Sequence, residues 1–327
     1  STGTAHLSLF TGEFPREQLP NGRLNQNTRI RTLAELLQAG SFATAAFTED
    51  GLISGPFGFW YGFDFFREYH VLSEGRGESI FEDGIDYIRK NRDRRFFLFL
   101  HTYKVHDPWD PTPATQHLFR DGDDWRDGRL DSRIPESQRD TVDDYDRTIV
   151  EADRMVADFL DELERLKIEK ETVVILTSDN GGFVNQWHGQ KVTNNHPLRS
   201  GKGSLYEGGV RVPLMIRWPG TTQPGSVSHE MVTMCDFFPT LQEALDLPTE
   251  EMPKSSADGQ SLMALLKDPS SHLQRDTLFW HYPHYYPTTE PVSSIRSGDW
   301  KLLEYHRDQR IELYRRGKDL SESHRIT

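Results

Sequence analysis

Three polar residues at two points of the chain could bind a metal ion and an anion. Asp179 and Asn180 follow almost directly after an apolar run, residues 173–177, and Lys202 lies between two glycines. A carboxylate and an amide carbonyl are hard oxygen donors, which suit Ca²⁺ or Mg²⁺ better than a soft metal. Because its neighbours have no side chains, the Lys202 ammonium could reach an anion. These residue types fit a site for an anionic group beside a divalent cation. They also fit an ordinary turn at Asp179 and Asn180 and a solvated surface lysine at Lys202.

A second polar cluster follows the apolar run over residues 96–100, which predicts another buried strand. Its members are two histidines, a lysine and an aspartate: His101, Lys104, His106 and Asp107. If both runs belong to one parallel sheet, this cluster lies at the same edge as Asp179. The pattern favours a hydrogen-bonded core histidine at His101. Lys104 could assist anion binding, or it could be a solvated loop lysine.

A phosphate-binding Walker loop is the obvious alternative for the glycine-rich segment around Lys202. Position 196 is His where that loop needs a glycine, and Gly203 follows the lysine where Ser or Thr is required. The sequence therefore excludes this nucleotide-binding motif.

Strands that alternate with helices would position these residues. Amphipathic spacing predicts helices over residues 28–40, 79–90 and 142–166. Apolar runs predict strands over residues 42–47, 96–100 and 173–177. A continuous run such as 173–177 is typical of a strand buried on both faces of a parallel sheet. We therefore predict an α/β fold with a mostly parallel central sheet flanked by helices, which binds ligands beyond the carboxyl ends of its strands.

The sequence pattern changes from Asp276 onward, where short aromatic and β-branched runs are separated by Pro, Gly and Asp. These runs cover residues 278–282, 292–295, 301–305 and 311–314. Such spacing predicts a small antiparallel sheet. We expect two domains, a catalytic α/β domain over residues 1–270 and a small C-terminal domain over residues 271–327.

The composition excludes several classes of function. The 327 residues carry a formal net charge of −13, and the mean hydropathy is −0.68. Non-specific binding to nucleic acid or to an anionic membrane is therefore not expected. No apolar run approaches the roughly 20 residues that span a bilayer. Cys235 is the only cysteine, so the chain cannot form an internal disulfide, and we predict a buried core thiol.

The order of motifs around Lys202 resembles that of the sulfatase family in the alkaline phosphatase superfamily. The motifs are Thr-Ser-Asp-Asn-Gly-Gly at 177–182, Gly-Lys-Gly at 201–203 and Glu-Gly-Gly-Val-Arg-Val-Pro at 207–213. The resemblance implies hydrolysis of sulfate esters by a fold like that of alkaline phosphatase. It also implies a Ca²⁺ ion, or Mg²⁺ or another divalent cation, held partly by Asp179 and Asn180, with Lys202 on the sulfate. His106 matches a family histidine that donates a proton to the leaving alcohol or binds the sulfate.

The first residues of the chain resemble the family's nucleophile segment, with departures. Aligned on Thr11-Gly12, Thr2 falls at the nucleophile position and His6 at a substrate-binding arginine. The family converts a Cys or Ser there to formylglycine, and oxidation of a threonine would give a ketone instead. No formylglycine is therefore expected, and the resemblance implies that Thr2 would act as a metal-activated alkoxide.

Two family elements have no counterpart in the sequence. The strand that carries two aspartate metal ligands would lie upstream of Thr2, and residues 48–51 replace a Lys and His that bind the sulfate in relatives. We therefore expect this chain to be a fragment of a longer protein that binds Ca²⁺ weakly by itself.

Three functions are consistent with the sequence. The first is a sulfuric ester hydrolase, whose substrate would be a sulfated small molecule or glycan. The second is a phosphomonoester or phosphodiester hydrolase of the same superfamily, suggested by Thr2. The third is an inactive sulfatase fold that binds anionic glycans. By resemblance alone, the protein would be exported to the periplasm or secreted.

Overall fold

The computed structural model describes most of the chain. The described residues are 2–15, 24, 30–70, 77–119, 139–187, 190–247 and 258–326. The stretch over residues 120–138, whose sequence is rich in charged residues, and His188 lie outside these ranges. No described helix has the length and apolar character that crossing a membrane requires.

A three-stranded parallel sheet forms the first layer. Its strands are β1 (Ala43–Glu49), β2 (Phe65–Tyr69) and β3 (Phe96–His101), in the order β2-β1-β3. All seven residues of β1 are buried because it lies between the other two strands. This arrangement matches the near-continuous apolar runs that parallel strands need.

Helices cover both faces of this sheet. They are α1 (Thr2–Thr11), α2 (Leu33–Ala39), α3 (Glu78–Asn91) and α4 (Arg139–Arg165). Alternate residues of β3 point to opposite faces: Phe97 and Phe99 join the core cluster with α1 and α2, whereas Leu98 and Leu100 join the cluster with α3. The structure therefore confirms the predicted α/β layers.

The start of α2 shows how the sequence fixes one of these helices. The Thr32 hydroxyl accepts a hydrogen bond from the Glu35 N–H at 3.1 Å, and the Glu35 carboxylate accepts one from the Thr32 N–H at 2.7 Å. This reciprocal cap satisfies two backbone donors at the first turn. The predicted helix over 28–40 is thus shorter at its start, while its end before Gly40 agrees with the structure.

The strand before Asp179 differs from its prediction. β4 (Val174–Thr177) pairs antiparallel with β7 (Leu214–Arg217), and the described residues do not pair it with the parallel sheet. Leu176 is 41 % exposed and Met215 is 57 % exposed. The prediction of a parallel strand buried on both faces was therefore wrong, since an apolar run does not specify the strand that pairs with it.

A four-stranded antiparallel sheet follows near the C-terminus. Its strands are β8 (Thr277–Tyr282), β9 (Val292–Ser297), β10 (Trp300–Tyr305) and β11 (Ile311–Arg315), in the order β11-β10-β9-β8. Val292, Leu303 and Tyr314 pack with Leu205 and Tyr206 in a core of their own. All four predicted strands are confirmed, whereas the domain boundary at residue 270 stays a prediction.

Short elements complete the chain between the two larger sheets. They are β5 (Gln186–Trp187), β6 (Gln190–Lys191), α5 (Glu207–Val210), α6 (Phe237–Ala244) and α7 (Met263–Lys267). A 3₁₀ turn over Met234–Asp236 leads into α6.

Cys235 lies in this 3₁₀ turn and provides a test of the core. Its side chain is only 1 % exposed, and burial raises the pKa of the thiol to about 11. Because the thiolate is the reactive form, we expect almost no reaction with a thiol reagent at pH 8 in the folded protein. Labelling should become rapid in denaturant, and rapid labelling of the folded protein would contradict the buried position.

Candidate active site

Thr2, Asp179 and Asn180 meet where α1 begins and β4 ends. The Asn180 side-chain N–H group donates to Thr2 Oγ1 at 3.0 Å and to Asp179 Oδ2 at 2.7 Å. Burial by itself would raise the pKa of Asp179, but hydrogen bonds from the Thr2 hydroxyl and the Asn180 amide oppose it, and that pKa is lowered. The carboxylate is therefore charged at neutral pH, with the Thr2 hydroxyl hydrogen-bonded to it.

Two buried histidines lie next to Thr2. His6 Nδ1 is 2.9 Å from the Thr2 carbonyl oxygen, and the His6 and His101 rings meet edge to face at 5.1 Å. Burial lowers the pKa of both imidazoles, and the nearby His6 helps bring that of His101 to about 3. Both rings are therefore neutral at pH 7. His101 is the core histidine that the sequence favoured, although its Nδ1 has no hydrogen-bond partner among the described residues.

The His6 ring is more enclosed than a substrate-binding role suggests. It is 7 % exposed and lies edge-on against Phe59 and Phe99. The helix explains this position, because residues four apart share a face of α1 and Thr2 stands directly before His6 on it. His6 thus holds the backbone of Thr2 through a contact one helical turn away.

Lys202 and His106 form the second half of the site. Lys202 Nζ lies 2.8 Å from His106 Nε2. An ammonium group can only donate, so Nε2 accepts, and the proton of the neutral imidazole is on Nδ1. Nδ1 then donates to the Asp107 carbonyl oxygen at 2.8 Å. The His106 side chain is 38 % exposed, so this pair faces solvent.

A glycine-lined junction joins the two halves. The Lys202 N–H donates to the Gly182 carbonyl oxygen at 2.9 Å, and the Gly181 N–H donates to the Gly209 carbonyl oxygen at 3.3 Å. A Cβ atom at Gly181 would stand 1.9 Å from the Gly208 carbonyl oxygen. These positions must be glycine because the two backbones touch, and the junction fixes Lys202 relative to Asp179.

Asn195 reinforces the same junction from a position that the sequence did not single out. Its side-chain nitrogen lies 2.9 Å from the Ser200 carbonyl oxygen, 3.2 Å from that of Gly208 and 3.4 Å from that of Gly182. The amide thus holds both chain segments through one side chain. An asparagine in a polar loop gives no local signal of such a role.

Lys104 is buried and paired with two carboxylates, contrary to its predicted role in substrate binding. Its ammonium is 2.7 Å from Glu78 Oε1 and 2.7 Å from Glu151 Oε2, and the side chain is 2 % exposed. Two carboxylates from α3 and α4 therefore hold the charge in the protein interior. The sequence alone could not show these partners, and Lys104 takes no part in the function proposed below.

A buried ion network supports the loop that follows Lys202. Lys301 Nζ lies 2.9 Å from Glu207 Oε1 and 3.2 Å from Glu322 Oε1, and Arg316 Nη2 lies 2.8 Å from Glu207 Oε2. Burial by itself would raise the pKa of Glu207, but Lys301 and Arg316 lower it. Sequence reasoning identified Glu207 only as part of a motif and missed the network.

Two family models match the chain. The sulfatase model covers residues 8–247, and the model of the C-terminal region of N-sulphoglucosamine sulphohydrolase covers residues 200–327. Together they include the Lys202 loop and the whole C-terminal sheet.

Curated relatives give the same result over part of their length. A sulfatase of Formosa agariphila is 35 % identical over 270 residues, which are 77 % of this chain and 45 % of the relative. The steryl-sulfatase of Rattus norvegicus is 31 % identical over 241 residues, 71 % of this chain and 37 % of the relative. The chain therefore spans less than half the length of these two proteins.

Solved structures share the fold. The structure of BT4656 with its substrate D-glucosamine-2-N,6-O-disulfate has a TM-score of 0.75 and 21 % identity, and covers 100 % of this chain and 83 % of that one. The phosphonate monoester hydrolase of Agrobacterium radiobacter has a TM-score of 0.68 and 17 % identity, and covers 100 % and 82 %. At these identities the likeness concerns the fold alone.

Proposed function

This chain belongs to the sulfatase family, and from that premise we propose that it acts in the hydrolysis of sulfate esters, with Thr2, Asp179, His106 and Lys202 at the reacting group. The observation that carries the proposal is the contact between the Lys202 ammonium and the His106 imidazole. A cation and a proton carrier lie together there at a solvent-facing position, and the glycine junction ties them to Asp179.

Thr2 is the proposed nucleophile. Its oxygen forms a bond to sulfur as the bond between sulfur and the leaving oxygen breaks, and water then releases sulfate from Thr2. The Asp179 carboxylate accepts a hydrogen bond from the Thr2 hydroxyl and takes up its proton as the oxygen bonds to sulfur. His6 and Asn180 hold this residue in place through its carbonyl oxygen and its hydroxyl.

Lys202 and His106 are the proposed partners of the sulfate and of the leaving oxygen. Without substrate, the ammonium donates to Nε2, so this nitrogen cannot carry a proton. Sulfate oxygens would replace the imidazole as the acceptor of the Lys202 hydrogen bond. Nε2 is then free to take up a proton and to donate it to the leaving alcohol. Substrate binding and protonation of His106 are thereby linked.

Asp179 and Asn180 carry oxygen ligands of the type that a divalent metal ion prefers, but two residues supply only part of the number that it needs. Asp179 and Asn180 offer the oxygen ligands that suit Ca²⁺, which takes roughly six to eight of them. Within the described ranges, no group of three or more His, Cys, Asp and Glu residues could hold a metal. The Asn180 side chain now turns its nitrogen toward Asp179, so its oxygen must rotate inward to bind. When bound, such a cation would offset charge on the sulfate oxygens.

The proposed substrate class is a sulfated sugar or another small sulfate ester. The solved structure with D-glucosamine-2-N,6-O-disulfate supports this proposal, because the two proteins share a fold. Export from the cytoplasm stays a prediction.

Parallel assays with an aryl sulfate and an aryl phosphate test the function. We expect turnover of 4-nitrophenyl sulfate to exceed that of 4-nitrophenyl phosphate, with and without added Ca²⁺. Faster turnover of the phosphate would favour the phosphoester hydrolase, which the family match does not favour. Calorimetric titration with Ca²⁺ is the companion measurement: weak binding is expected, and no binding together with no turnover would indicate an inactive fold.

A further inference from the structure

A tight turn at the tip of the β8–β9 connection reaches from the C-terminal sheet to the candidate active site. Tyr286 and Thr289 exchange backbone hydrogen bonds, from the Tyr286 N–H to the Thr289 carbonyl oxygen at 3.0 Å and back at 2.9 Å. The turn, residues 286–289, therefore has a fixed conformation of its own.

This turn contacts the backbone at Lys202 and at the glycine that follows it. The Thr288 hydroxyl donates to the Lys202 carbonyl oxygen at 2.7 Å. The Tyr286 ring packs directly on Gly203, where an added Cβ would stand 2.1 Å from the ring atom Cδ1. Gly203 also has φ +86°, which disfavours any other residue. The ring thus occupies the space beside Lys202 that a side chain would otherwise fill.

The same ring also lies near the His106 side of the site. Burial raises the pKa of the Tyr286 phenol, and the charges of Tyr282 and Asp107 raise it further. Asp107 directly follows His106, the proposed proton donor to the leaving oxygen. A half-buried aromatic ring therefore packs beside the segment that carries Lys202, with the Asp107 carboxylate close enough to act on its phenol.

We propose that Tyr286 contacts the leaving group and gives the site a preference for sulfate esters whose alcohol part carries a ring. This inference rests on the proposed function and deepens it. A tyrosine ring offers a flat apolar surface to an aryl or sugar ring, and its fixed turn limits the entropy lost on contact. The Phe183 ring lies 6.5 Å from that of His106 and provides an aromatic surface on that side of the site.

Equilibrium binding of three anions tests the inference, in matched proteins that all carry Thr2→Ala so that the ester is not hydrolysed. The anions are 4-nitrophenyl sulfate, ethyl sulfate and inorganic sulfate. In Tyr286→Leu, we expect the dissociation constant of the ring ester to rise about tenfold, while those of the other two anions stay within about twofold. Tyr286→Phe keeps the ring and should bind the ring ester as the Thr2→Ala protein does. Tyr285→Leu, at the neighbouring residue that is 71 % exposed, is the control and should change none of the three.

The outcomes separate this inference from the proposed function. Equal weakening of all three anions in Tyr286→Leu would mean that the residue only supports Lys202, and it would overturn the leaving-group contact. Unchanged affinity for the ring ester would overturn it too. Failure of the wild type to bind inorganic sulfate would overturn the proposed function, and the inference with it.

Discussion

Replacing Lys202 by alanine is expected to lower kcat for 4-nitrophenyl sulfate by about 10²–10³-fold. The ammonium is the proposed donor to the sulfate oxygens, and loss of one such donor at a developing charge has an effect of this size. The change also removes the hydrogen bond to His106 Nε2 in the substrate-free enzyme, so the pH profile of kcat/KM, which reports the free enzyme, should change in shape. Steady-state kinetics across pH measures both effects.

A matched control separates loss of the sulfate contact from the general effect of removing one positive charge. Lys318 is exposed, and Lys318→Ala removes the same charge far along the chain. It should leave kcat and the pH profile of kcat/KM unchanged. Equal rates for Lys202→Ala and the wild type would rule out the anion-binding role, whatever the other residues do.

Replacing Lys301 by methionine is expected to lower the free energy of unfolding by about 3–5 kcal/mol. The Lys301 side chain is fully buried between Glu207 and Glu322, which are 2 % and 0 % exposed. Removing the ammonium leaves Glu322 without its cation, whereas Glu207 keeps Arg316. Chemical denaturation measures the change.

A second variant tests the origin of this loss. In Lys301→Met with Glu322→Gln, the uncompensated carboxylate is neutral, and we expect part of the stability to return. A loss of less than about 1 kcal/mol for Lys301→Met would place the pair among exposed ion pairs. No recovery in the double variant would show that lost packing, and not buried charge, dominates.

The sequence predicted the elements whose signal is local. The four strands of the C-terminal sheet and the long helix α4 follow from residue periodicity, so their positions agree with the structure to within a few residues. Strand pairing is not local. The run before Asp179 was correctly identified as a strand, but its antiparallel partner begins at Leu214, and no pattern within the run encodes that choice.

The candidate site shows the same difference between local motifs, which the sequence revealed, and distant partners, which it did not. Asp179, Asn180 and Lys202 stood out because their turns and glycines are short motifs, and the structure joins these motifs at one junction. The partners of buried charges could not be found, because Lys104 and Glu78 are 26 positions apart and Lys301 and Glu207 are 94 apart. The chemical roles of Asp179, Asn180 and Lys202 at the site stay predictions.

The contacts between the C-terminal sheet and the Lys202 loop limit how this protein can be recombined. Lys301 in β10, and Thr288 and Tyr286 in the β8–β9 connection, each touch the loop over residues 202–207. In a chimera that takes this sheet from a relative, Glu207 would lose the Lys301 ammonium and the Lys202 carbonyl oxygen would lose its hydrogen bond, unless all three contacts came with the sheet. The two parts must therefore be inherited as one unit.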